Sequence, residues 1–298
     1  MGILLGLLTA LSWGSSDLLA RFATRKIGTF RAMLYMQLIG LLLLSVALHW
    51  MGGWGHLVGF AGGPWAWGVF AGVLNTGAAL ALYRSFEIGK LSIVAPISAS
   101  YPALTILLAA ISGERLTLLR LAGLVLILLG VVIVARGEEI PGDANPVDPE
   151  KQPGKKHLGV GWAFVAAVGF GLLFWVLGAR AVPLLGSTQA VWIVRLTCVV
   201  LTFLLMLVVR QPRALPEAEA KWLVLGMGLL DTGAYVLNNY GMRLEQVSVV
   251  TVLSSLYGAV TVGLAATILG EKISRAQWVG IVAILGGIAL RSIKTSAP

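Results

Sequence analysis

Two stretches, Gly113-Glu114-Arg115-Leu116-Thr117 and Gly270-Glu271-Lys272-Ile273-Ser274, decide how this chain folds, because they are one turn written twice. Upstream, Ser98-Ala99-Ser100-Tyr101 aligns with Ser254-Ser255-Leu256-Tyr257, and Asn75-Thr76-Gly77-Ala78 aligns with Asp231-Thr232-Gly233-Ala234. The offset holds at 156 to 157 residues across all three. Apolar helices resemble one another by chance, but a matched turn at constant offset does not arise that way. The chain therefore reads as a duplicated unit.

What is duplicated is apolar. Of the 298 residues, 58% are hydrophobic and 12% charged, against about 25% charged in a soluble domain. Roughly 20 mainly apolar residues cross the hydrocarbon core of a bilayer. Ten segments qualify, near 3–22, 31–51, 65–84, 91–111, 117–136, 158–178, 189–209, 221–241, 247–269 and 275–293. Gly52-Gly53, Gly62-Gly63-Pro64 and Gln211-Pro212-Arg213 punctuate them. Residues 3–20 mimic a secretory signal, yet no basic stretch precedes them and Asp17 interrupts them, so a retained first span is expected. The polar run Gly137–His157, with four prolines, cannot bury enough apolar surface to fold alone. The expected organisation is a first five-helix repeat at 1–137, a flexible linker at 138–157 and a second five-helix repeat at 158–298.

Five spans per half is an odd number, so the second half must enter the membrane upside down. The fold class expected is an all-α membrane protein of about ten transmembrane helices in two inverted five-helix repeats, an arrangement found in alternating-access carriers. Charge agrees. The connector at 52–64 has no Lys or Arg, whereas its counterpart at 210–221 has Arg210, Arg213 and Lys221. With Arg195 set aside, 15 Lys and Arg residues fall on one side and 6 on the other. The positive-inside rule makes the richer side cytoplasmic and sends both termini outside. The net charge of +9 is then topology-setting charge beside anionic headgroups, and no nucleic-acid partner is expected.

Ionisable groups inside a span cost roughly 2.5–3.5 kcal/mol each on insertion scales, and three lie there: Asp17, Arg195 and Asp231. Asp231 sits near mid-membrane, with Tyr235, Asn238 and Met242 following on its face, and its repeat counterpart Asn75 lies at a similar depth. Isolated there, Asp231 is the first candidate for binding a proton; the alternative is a packing partner for a neighbouring helix. Asp17 has Arg21 one turn on, a spacing suited to an ion pair, and is the second coupling candidate. Arg195 either takes an anionic substrate group with its fork of donors or snorkels to the interface.

Trp13, Trp175, Tyr83, Tyr101, Tyr235 and Tyr257 add aromatic surface. Tyr101 and Tyr257 are repeat-equivalent and deep, so their hydroxyls need polar partners. Ser98, Ser100, Ser254 and Ser255 read as helix glue or as ligands. Gly123 with Gly130, and Gly280 with Gly287, mark faces where helix backbones approach closely. The lone Cys198 lies in an apolar run, and His49, His56 and His157 fall at span ends or in connectors. No disulfide framework, metal cluster, catalytic pair or phosphate-cradling loop is legible, so neither cofactor nor enzymatic activity is expected.

Ser12-Trp13-Gly14-Ser15-Ser16 resembles the tryptophan-glycine motif in the first helix of EamA-type carriers, and the two Gly-Glu-Arg/Lys turns, each after a helix with Pro102 or Gly258, resemble theirs as well. The ten-span, two-repeat plan is similar to that of the drug/metabolite transporter superfamily over nearly the whole chain. The resemblance implies a central polar cavity lined by spans 1, 3, 4, 6, 8 and 9, with the last helix of each half at the periphery. The substrate site expected draws on Trp13, Asn75, Tyr101, Trp175, Asp231, Tyr235, Asn238 and Tyr257, with Asp231 and Asp17 as coupling candidates.

The function expected is secondary transport of small polar metabolites, amino acids or similar, as an exporter in the cell membrane with proton coupling. A facilitative sugar or drug permease is the alternative. A channel needs a continuous polar stripe, whereas these polar positions cluster at mid-depth. The partners expected are a small-molecule substrate and membrane lipid, with a homodimer left open. The charge split makes a direct prediction. With Gly2→Cys or Asp148→Cys in a Cys198→Ala background, an impermeant thiol reagent on intact cells labels position 2 and reaches 148 only after permeabilisation. Labelling of 148 alone in intact cells reverses the orientation.

Overall fold

The computed structural model describes residues 1–59, 62–113, 118–136, 159–212, 214–244, 250, 253–254 and 256–292. Among them every regular element is a helix. In chain order these are α1 (Gly2–Ile27), α2 (Thr29–Trp50), the short α3 (Trp54–Val58), α4 (Gly62–Ile88), α5 (Leu91–Ser98), α6 (Pro102–Ile111) and α7 (Leu118–Arg136). The second half holds α8 (Val160–Val176), a π-turn at Leu177–Ala181, α9 (Val182–Leu185), α10 (Ser187–Val208), α11 (Ala218–Leu244), α12 (Tyr257–Ile268) and α13 (Arg275–Ser292). Six described stretches are long and apolar enough to cross a membrane: α1, α2, α4, Leu91–Leu108, Val160–Leu185 and α10. The stretch 138–157, expected as a linker, lies outside the described residues.

Several boundaries differ from the sequence expectation. The third span runs 62–88 rather than 65–84, and the sixth continues through the π-turn to Leu185 instead of ending at 178. The fourth is broken at Ala99–Tyr101, where Ser100 N bonds Ile97 O at 3.1 Å and Ala103 N bonds Ser100 O at 3.0 Å. Pro102 begins the next helix; it has no N–H to lose, so the break falls where it leaves the fewest orphaned groups.

The duplication is visible in backbone detail. Gly28 joins α1 to α2 at φ 80, ψ 159, and Gly186 joins α9 to α10 at φ 82, ψ 157. Positive φ of this kind is open to glycine at little cost, so the same residue makes the same corner in each half. Helix partnerships also exchange between halves: α1 packs on α11 as α4 packs on α8, and α2 packs on α11 as α4 packs on α10.

Two pairs of equivalent helices meet each other. α7 and α13 run antiparallel, with Gly130 against Gly280 and Gly123 against Gly287. A Cβ on Gly287 would lie 2.5 Å from the Gly123 carbonyl oxygen and 3.0 Å from Ile127 N. α2 and α10 are also antiparallel: Gln37 meets Arg195, while eight residues later on α2, Ser45 accepts from Trp192 Nε1 at 2.8 Å. Equivalent helices that touch antiparallel have opposite senses in the membrane, as odd-numbered repeats require.

The repeated Gly-Glu turn has a mechanical role. Glu271, 4% exposed, reaches from the α12–α13 connector to the start of α5 in the other half. Leu91 N and Ser92 N donate to its carboxylate at 3.0 and 2.8 Å, and the Ser92 hydroxyl at 2.6 Å. A carboxylate at a helix N-terminus satisfies orphaned N–H groups and suits the dipole. Burial pushes its proton affinity above the ordinary carboxylate value, against the pull of these hydrogen bonds. Three residues on, Ser274 and Gln277 exchange backbone bonds at 2.9 and 3.2 Å and start α13 with a capping box. Glu114, the counterpart of Glu271, lies outside the described residues.

The glycine contact makes a matched prediction. Gly287→Val overpacks the α7–α13 contact at a cost of about 1–3 kcal/mol and lowers the midpoint of thermal inactivation in detergent. Adjacent Gly286 has 3.5 Å of clearance to Leu126, so Gly286→Ala leaves the midpoint unchanged or raises it. Equal midpoints for the two variants would mean that the helices do not meet at Gly287.

Candidate functional site

The polar residues inside the bundle sort into three layers. In the middle layer Arg195, 5% exposed, is committed on both flanks. It pairs with the Asp231 carboxylate on α11, and its Nη1 donates to Gln37 Oε1 on α2 at 3.1 Å. Gly40, one turn from Gln37, is where a side chain would strike the guanidinium. Arg195 therefore does not snorkel to the interface, and Asp231 is not isolated; both expectations are corrected. The reason is proximity across elements: a mid-membrane guanidinium and carboxylate are each costly alone, and folding brings them together.

Gln37 and Arg195 are 158 residues apart, as Gly28 and Gly186 are, so the two ends of that hydrogen bond are repeat equivalents. The halves differ chemically here. Where the second half has Arg195 and Asp231, the first has the amides Gln37 and Asn75. Asn75 donates to Cys198 Sγ at 3.0 Å, and Thr76 lies 3.4 Å from the same sulfur. Both contacts bridge α4 and α10 beside the ion pair. Thr76 is buried and Asn75 half-buried.

The second group surrounds Asp17 on α1. The expected Asp17–Arg21 pair does not form. Arg21 is fully buried and turns to the C-terminal end of α4, donating to the carbonyls of Phe86 and, at 3.2 Å, Glu87. Arg25 joins it there at 3.1 Å. Orphaned carbonyls at a helix end draw these guanidinium groups away from the carboxylate. Asp17 instead accepts from Thr261 Oγ1 at 3.0 Å. Asp17 is half-buried, between α1 and α12. Asp231 is close enough to act on it electrostatically, as both carboxylates act on Tyr83 of α4.

Aromatic rings complete this group. Trp13, one turn before Asp17, meets Tyr257 edge-on at 6.0 Å. Tyr101 stacks on Phe174 at 4.7 Å and meets Phe170 edge-on at 6.2 Å, and it lies within electrostatic reach of Tyr257. The glycine of the Trp13-Gly14 motif lets α12 approach, since a Cβ there would sit 3.0 Å from the Tyr257 carbonyl oxygen. Gly171, 157 residues later, has the same relation to the Tyr101 carbonyl, also 3.0 Å. Phe170-Gly171 is thus the second copy of Trp13-Gly14, a signal legible at the repeat offset but overlooked in the sequence.

The third set lies toward the end of the bundle where α6 finishes and α10 begins. Trp175 donates to Ser112 Oγ at 3.2 Å, and the Tyr235 hydroxyl donates to Ser187 O at 2.7 Å. Asn238 follows Tyr235 on α11 and is half-buried; the Met242 side chain lies outside the described residues. The structure therefore brings Trp13 against Tyr257 and Thr261 against Asp17, with Asp231 in electrostatic reach of Asp17 and Tyr101 of Tyr257, and Tyr235 and Trp175 toward one end. Ser98 and Ser100 bond back to Val94 and Ile97 carbonyls of their own segment at 2.7 and 2.6 Å. Gln37, Thr261 and the capping role of Glu271 went unremarked in the sequence, since their partners lie on other helices.

Comparison with known proteins agrees with the repeats. The uncharacterized protein MJ1333.1 of Methanocaldococcus jannaschii is 28% identical over 134 residues, which is 45% of this chain and 95% of that protein. That relative is about as long as one repeat. A solved crystal structure of a protein superposes with a TM-score of 0.65 at 19% identity, covering 97% of this chain and 96% of the other; that likeness shows the fold alone. The model of the EamA-like transporter family matches residues 1–136 and again 157–293. This chain belongs to the EamA-like transporter family and is a membrane transporter with two repeats of the family's unit.

Proposed function

We propose that the protein is a ten-span secondary transporter that exports small polar metabolites, amino acids and their relatives being the first class to test. Both termini lie outside the cell and the 138–157 linker in the cytoplasm in this reading. The observation that carries it is the Asp17 group: a half-buried carboxylate on α1 held by Thr261 of the other half, with Trp13 one turn before it packed on Tyr257. A site between inverted repeats can face either side of the membrane as the halves rock.

Proton coupling is assigned to Asp17 rather than Asp231. Asp231 has Arg195 as its counter-charge, whereas no cation pairs with Asp17 among the described residues. In this reading Arg195, Asp231 and Gln37 hold α2, α10 and α11 together and shape the wall of the site.

Counterflow in proteoliposomes across a panel of amino acids, amines, sugars and hydrophobic drugs tests the carrier. At least one solute should be taken up against its gradient when the vesicles are preloaded with it. No counterflow by any member, with the folded protein present, removes the carrier reading. The ion pair is tested by a double-mutant cycle. Removing one partner of a buried pair costs about 3–5 kcal/mol, so Arg195→Gln and Asp231→Asn singly lower thermal stability sharply. The double variant recovers a large part of that loss. Additive losses would mean that the two groups stabilise the fold independently.

A further inference from the structure

Within that reading the charges at the site are unequal, and the inequality points to a class of solute. Asp17 offers two carboxylate oxygens, but its donor among the described residues, the Thr261 hydroxyl, also faces a carbonyl. The same oxygen lies 2.9 Å from the Tyr257 carbonyl and 3.0 Å from Asp17. One hydroxyl has one proton, so it gives the carboxylate at most one hydrogen bond, whereas two carboxylate oxygens can accept several. The nearest cation along its own helix, Arg21, is spent on the carbonyls at the end of α4. The other nearby charge that acts on Asp17 is a second carboxylate, Asp231.

Arg195 does not reverse this balance. Its terminal nitrogens are engaged by Asp231 and Gln37, and its Nε is buried. Among the described residues, then, the guanidinium nearest the site is held by protein partners, while an incompletely satisfied carboxylate is offered to a solute cation. Trp13, one turn before Asp17, meets Tyr257 edge-on, and the Thr261 hydroxyl links Tyr257 to Asp17; aromatic faces attract ammonium groups, most strongly where water is excluded.

We propose that the transported solute is an organic amine bound as its ammonium form by Asp17 against Trp13 and Tyr257, and that solutes carrying their own carboxylate are disfavoured. A zwitterion would bring a negative group toward Asp17 while Arg195 is already held by Asp231 and Gln37. This rests on the carrier reading but narrows it to amines without a carboxylate.

The test uses the full chain, purified and reconstituted, with two matched series. One is 2-phenylethylamine, L-phenylalanine and 2-phenylethanol; the other is isobutylamine, L-valine and isobutanol. Each series keeps the carbon skeleton and changes the charge from cation to zwitterion to neutral. Binding is read by ligand-induced thermal stabilisation and transport by counterflow. In at least one series the amine binds at least ten-fold more tightly than its amino acid or alcohol. Asp17→Asn loses that binding by ten-fold or more while keeping its elution profile, and Asp17→Glu retains it, which separates lost charge from lost fold. Equal binding of amino acid and amine, binding of the alcohols alone, no amine bound in either series, or full binding by Asp17→Asn each overturns the proposal. If the amines fail while a sugar or an amino acid gives counterflow, the carrier stands and only the amine assignment falls.

Discussion

A guanidinium and a carboxylate placed singly in hydrocarbon are each disfavoured by several kcal/mol, and this chain places Arg195 and Asp231 on different helices at similar depth. Their contact ties α10 to α11, and the amide of Gln37 ties α2 to the same guanidinium. Gly40 leaves the room that the guanidinium needs. Three helices from both halves are thereby fixed around one group. Asp17 lies beside this knot, close enough for Asp231 to act on Asp17 and on Tyr83.

The halves are equal in backbone and unequal in charge. Gly28 and Gly186 turn the same corner, Gly14 and Gly171 make the same close approach, and the four glycines of α7 and α13 meet across the same contact. At the centre, amides stand in the first half where charges stand in the second. A relative about one repeat long fits a unit that pairs with an inverted copy. Joining two units in one chain frees each half to change separately, and the amide-against-charge difference at Gln37 and Arg195 is the result expected of that freedom.

Broken spans serve the same plan. At Ala99–Tyr101 the helix is interrupted at mid-depth, where Tyr101 stacks on Phe174 and comes within reach of Tyr257. Non-helical backbone in a membrane is tolerated where protein buries it, and here α8 and α12 do so. Glu271 secures the other end of the segment by capping α5 from the opposite repeat. The motif turn is therefore a structural clasp between halves, whereas Asp17 has no such set of donors among the described residues.

Composition alone determined that most of this chain faces lipid, because 12% charged residues cannot solvate a soluble fold of this size. The constant offset of the repeated turns determined two halves; their opposite sense is seen where α7 meets α13 and α2 meets α10 antiparallel. The depth of Asp17, Arg195 and Asp231 was legible too, since depth follows from position along a helix. Pairing was not. Asp17 and Arg21 are one turn apart and yet part company, because the carbonyls ending α4 lie closer to Arg21. Asp231 and Arg195 are 36 residues apart and meet. Local spacing fixes which groups share a helix face, but the partner of a buried charge is whichever group another helix delivers to it. Only the tertiary packing decides that, and with it which carboxylate keeps a counter-charge and which does not.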